Sequence, residues 1–80
     1  MSEQQPAASL RERLITMADR LDHDPDHAPD ELFTNRLRIE LARELTGGEP
    51  QVLLDITPPV TRPITRSEYA ARLREIGGVR

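Results

Sequence analysis

Two groups of side chains in this sequence have the chemistry to hold or transform something. The first is the run Asp22-His23-Asp24-Pro25-Asp26-His27, in which carboxylates alternate with imidazoles. Oxygen donors at this spacing open a calcium-binding loop, but the register then fails. With Asp22 as the first loop position, the sixth is His27 where glycine must turn the chain, and the twelfth is Phe33 where a bidentate glutamate is needed. Zinc fits no better. His23 and His27 stand four apart, yet Pro25 opposes the helix that would bring them to one face, and the chain has no cysteine. No specific metal site and no cofactor is assigned. The segment reads as an acidic turn whose aspartates cap helices, with a metal-responsive switch kept as a second alternative.

The second group is the arginines of the last twenty residues: Arg62, Arg66, Arg72, Arg74 and Arg80. A nucleic-acid-binding regulator would use Arg62, Arg66, Arg72 and Arg74 as phosphate contacts. Glu68 and Glu75 lie four before and three after Arg72, spacings that pair charges along a helix and neutralise them. The connections are too long for a helix-turn-helix, and a ribbon-helix-helix needs two helices after its strand. Nucleic acid is therefore the alternative rather than the leading partner. Catalysis has less support still: there is no cysteine nucleophile, no glycine-rich phosphate loop, and no serine in a G-x-S-x-G or S-x-x-K setting. The chain reads as a non-enzyme.

Composition bounds the scaffold. Eighty residues make one small domain, and Leu, Ile, Val and Phe number 19, enough for a thin core that no disulfide can brace. The formal charge is −3, with residues 1–40 acidic and residues 41–80 near neutral. All 11 basic residues are arginine, a lysine-free pattern expected of GC-rich coding in a high-GC bacterium or its phage. Without an apolar run long enough to span a bilayer, a cytoplasmic location is expected.

The positioning elements follow from periodicity. Residues 1–8 read as a flexible polar tail and residues 9–80 as one domain. Ser9 and Glu12 have capping-box spacing ahead of a helix over about 10–21, whose stripe is Leu10, Leu14, Met17 and Leu21 with Ala18 at its border. Asp30 is the expected N-cap of a second helix over about 31–46, ended by Gly47 and Gly48. This helix is apolar on two sides, with a row of Phe33, Leu37, Leu41 and Leu45 and a separate arc of Leu32, Ile39 and Ala42. It is expected to be the sandwiched central element or to offer one side to a partner. Alternation of Val52, Leu54 and Ile56 predicts a strand over about 51–57, and residues 58–63 a proline-rich connector. Thr65 and Glu68 predict a second capping box, before a helix over about 66–76 with Tyr69, Leu73 and Ile76 along one face.

The reading is a mainly helical three-helix domain with one short extended segment between the second and third helices. A lone strand leaves backbone groups unpaired, so pairing with a two-fold mate is expected, or a short hairpin with residues 60–62. The leading function is a non-enzymatic interaction module, self-associating or binding another protein through Leu32, Ile39, Ala42, Val52, Leu54 and Ile56.

Overall fold

Helical periodicity sets most of the architecture. The computed structural model describes the backbone of residues 6–78 and the side chains of residues 11–78. The element order is α1 Pro6–Asp22, β1 Leu32–Phe33, α2 Asn35–Leu45, α3 Gln51–Leu54, β2 Ile64–Thr65 and α4 Arg66–Ile76. The fold is mainly helical with one small antiparallel pair, β1 against β2, in which Leu32 faces Thr65 and Phe33 faces Ile64.

α1 buries Leu14, Met17, Ala18 and Leu21, the stripe that a turn of 3.6 residues predicts. It begins at Pro6, earlier than Ser9, because proline fits the first helical position where an amide has no partner anyway. Ser9 therefore lies within the helix and does not cap it. Residues 1–5 of the expected tail, and the side chains of Ser9 and Leu10, lie outside the described residues. α4 starts where predicted. Thr65 Oγ1 accepts from Glu68 N at 3.1 Å and Glu68 Oε1 accepts from Thr65 N at 3.0 Å. The amides of Arg66 and Ser67 donate to Glu31 O and Pro29 O, both at 2.9 Å. All four amides left open at a helix start are thus satisfied, two of them by the linker that follows α1.

Three expectations change. Residues 31–34 are not helical: Leu32–Phe33 is extended, and Thr34 rather than Asp30 caps α2, its hydroxyl accepting from Leu37 N at 3.2 Å. The segment 51–57 is not a strand but opens with the single turn α3, and Leu53, between the alternating residues, is the side chain fully buried. Four residues are too few for alternation to separate a strand from one helical turn. The third change concerns the central element. The main packed pair is α1 with α4, while α2 rests on α1 and α3. α2 has one broad buried face, on which Leu41 and Ala42 lie side by side with Arg38. On the face shared by Tyr69, Leu73 and Ile76, the first two are buried and Ile76, on the last turn of α4, is 46% exposed. Gly47 terminates α2 as predicted, with φ of 67°, and Gly48 N donates to Arg43 O at 3.0 Å.

Arg66 joins the parts. Its side chain is 5% exposed. Its guanidinium donates to Asp24 Oδ2 at 3.1 Å and to Leu21 O at 3.4 Å, and lies 5.8 Å from the centre of the Phe33 ring. Phe33 in turn packs on Tyr69, ring centres 5.0 Å apart. The end of α1, the linker, β1 and α4 therefore converge on one cation.

Removing that cation leaves Asp24 with Arg20 as its single cationic partner, so Arg66→Met is expected to lower stability by about 3 kcal/mol, read as a shifted urea midpoint. The acid side is also predictable. The Asp26 amide first, then Arg20 and Arg66, hold the Asp24 carboxyl below the usual carboxylate range. His27 and then the Ala28 amide do the same for Glu31. A carboxyl depressed in the folded chain binds fewer protons there than when unfolded. Its stabilisation is whole above the unfolded value of about 4 and is lost as pH falls through the folded one. The urea midpoint should hold steady from neutrality to about pH 5 and drop below it; Asp24→Asn should make that drop shallower.

Candidate functional site

The connector 58–63 stands as a ridge between β1 and α4, and buried polar contacts fix it. Arg38, 7% exposed, has only neutral oxygens as partners among the described residues. Its Nε donates to Thr57 Oγ1 at 3.0 Å, one terminal nitrogen to Asn35 Oδ1 at 2.8 Å, and the other to Leu54 O at 3.0 Å and Thr57 O at 2.8 Å. Thr57 Oγ1 passes its own proton to Leu53 O at 2.9 Å. Asn35 Oδ1 also accepts from Val60 N at 3.1 Å, and the Tyr69 hydroxyl donates to Pro58 O at 2.6 Å. Three points of the chain around the ridge, Thr57, Pro58 and Val60, are therefore tied to α2 and α4.

A groove runs along each side of this ridge. Between the ridge and α4 lies one of about 240 Å³, lined by residues 58–64 with Tyr69 and Arg72. Between the ridge and β1 lies one of about 270 Å³, lined by residues 32–35 and 60–63. Arg62 borders both, and no acidic residue lines either. Leu32 is 59% exposed at the rim of the second groove, a large apolar side chain left in water.

The six residues expected to meet a partner do not form one surface. Ala42 is fully buried in the core, whereas Leu54 and Ile56 are partly buried and packed against it. Ile39 and Val52 are half-buried. Leu32 is separated from the helix it was assigned to and is the most exposed of the six. The strand edge that was to meet a two-fold mate does not exist at 51–57, and the short strands present are paired within the chain.

The arginines also divide. Arg66 is buried on Asp24, and Arg74 donates to Asp22 at 2.6 Å and Asp19 at 2.9 Å. Arg62 and Arg72 are exposed, and among the described residues no ion pair holds either guanidinium. Glu68, expected to neutralise Arg72, is turned back to cap α4. At the acidic turn, Asp24 serves Arg20, Arg66 and the Asp26 amide, while His27 Nδ1 lies 3.0 Å from Glu31 Oε1. Among the described residues no group of three or more His, Cys, Asp and Glu side chains is arranged to hold a metal ion. No described helix is long and apolar enough to cross a membrane. The residues that sequence reasoning missed, Arg38, Asn35, Thr57 and Tyr69 as the ridge's supports, carry no local signal, since their partners lie up to 25 positions away.

No known protein family, no curated protein and no solved structure matches this chain. Geometry and charge are what the functional reading rests on.

The ridge's supports are testable directly. Lysine is a point donor and cannot reproduce the fork at position 38, so Arg38→Lys is expected to cost about 2 kcal/mol of stability, read by urea unfolding. Tyr69 gives a second readout, because the chain has one tyrosine and no tryptophan. Burial first of all pushes its hydroxyl above the ordinary value, against the opposing pull of Arg38 and Arg72. A group that keeps its proton longer when folded loses stability as pH rises past the unfolded value of about 10. Absorbance at the phenolate band should titrate above that value in the native protein and at it in urea.

Proposed function

We propose that this chain is a non-enzymatic protein-binding module that receives a segment of a partner protein across the connector ridge. The observation that carries the reading is Leu32, an exposed apolar side chain at the rim of a concave and mostly apolar groove formed with Val60, Thr61 and Pro63. A concave surface lined mostly by apolar groups and continuous with an exposed leucine is the kind of place where a segment of another chain is received. Ile76, the other exposed large apolar side chain among the described residues, lines neither groove, so it serves as an internal control. The fold gives self-association no special support, because β1 already has its pairing partner in β2. A partner of different sequence is the simpler occupant.

Selection from a displayed library of random peptides tests this. Peptides enriched on the native chain should carry an apolar anchor, and Leu32→Asp should abolish their binding while Ile76→Asp leaves it within about twofold. Enriched peptides that bind the Leu32→Asp and native chains equally well, or no enrichment at all, would overturn the reading.

A further inference from the structure

Building on the protein-binding reading, we infer that the partner segment is acidic, its carboxylates meeting Arg62 and Arg72 along the ridge while an apolar side chain enters the groove at Leu32. Charge placement carries the argument. Within the described residues most arginines near the core are already matched: Arg20 with Asp24 and Glu44, Arg66 with Asp24, Arg74 with Asp19 and Asp22. Arg62 and Arg72 are not, and both border the groove between the ridge and α4. Arg38, at the start of the ridge on Thr57, is buried and held by neutral oxygens only, so its charge is uncancelled by any carboxylate in contact. With no acid in either groove lining, a chain of net charge −3 presents a local positive face here. Low-dielectric walls concentrate that field, and carboxylates are its complement.

Other polyanions fit less well. A nucleic acid backbone would gain two exposed contacts, enough for a salt slope of only about −2, and would meet a chain of like net charge. It would also leave Leu32 uncovered. A second copy of this chain has its own acidic turn to offer, but there Asp22 and Asp24 are held by Arg74, Arg20 and Arg66. An acidic segment of another protein, interspersed with apolar residues, satisfies both grooves at once.

The probe is a fluorescein-labelled octapeptide of alternating glutamate and leucine, followed by anisotropy at low salt. Controls are a lysine and leucine peptide and an oligothymidylate of equal length. The native chain should bind the glutamate peptide saturably, and both controls at least about tenfold more weakly. The double variant Arg62→Gln with Arg72→Gln should lose about three- to tenfold in affinity and most of the salt dependence. Its melting temperature should be unchanged, since neither side chain braces the fold. No binding of the glutamate peptide, equal binding by the double variant, or tighter binding of the oligothymidylate would each overturn the inference. So would a dimer, seen by light scattering, that the double variant dissociates, for the occupant would then be a second copy. The Leu32→Asp variant separates the two readings. Loss of binding there, with indifference to the arginine changes, would keep a protein-binding module and remove its acidic partner. Sensitivity to the arginines with indifference at Leu32 would keep the cationic site and remove the apolar anchor.

Discussion

The buried guanidinium of Arg66 is the constraint on which the rest of this fold depends. Taking a charge out of water is costly unless hydrogen bonds and an opposite charge replace the solvent. Here those replacements come from three places in the sequence: Leu21 O at the end of α1, Asp24 in the linker, and the face of Phe33 in β1. None can be displaced without stranding the cation. The same residue's amide donates to Glu31 O, so the backbone and side chain of one position fasten the linker to α4 at both levels. In a domain with so thin an apolar core, this directional network supplies a geometry that hydrophobic burial alone would leave loose.

The lysine-free composition takes on a physical meaning in this light. A guanidinium offers five donors in a planar fork and can lie on an aromatic ring, whereas an ammonium is a strongly hydrated point charge. Arg38 uses three nitrogens to hold Asn35, Leu54 and Thr57 together, and Arg66 both stacks and bonds. Lysine would serve at the surface pair Arg36 with Glu40, but at neither buried position. Whatever biased the codons, two of the eleven arginines are at sites where only that side chain fits.

Elements whose determinants are local could be read directly. The capping box of Thr65 and Glu68, the stripe of α1 and the glycine stop after α2 each depend on residues within a turn or two. The segments misread are those where distant partners decide. Phe33 and Leu37 have helical spacing, yet β2 draws Leu32 and Phe33 into a ladder from more than thirty positions away. Alternation at 52, 54 and 56 resembles a strand until Leu53 is claimed by the core. Nothing local singles out Arg38, because its partners Leu54 and Thr57 carry no mark in the sequence. Of the candidate site, Leu32, Arg62 and Arg72 were singled out for unrelated reasons. Their convergence on one ridge is a tertiary fact.

The ridge is ordered by its own sequence and by its neighbours. Prolines at 58, 59 and 63 fix their own φ and bias the residues before them toward extended backbone, which removes much of the freedom a loop loses on binding. The Tyr69 hydroxyl on Pro58 O and the Asn35 oxygen on the Val60 amide remove more. A surface loop this short usually gives up part of its binding energy to its own ordering; one pinned in advance does not. The ridge that borders both grooves is therefore fixed by α2 and α4. Under the proposed reading, the exposed Arg62 and Arg72 side chains at the rim are the parts left free to adjust to a bound segment.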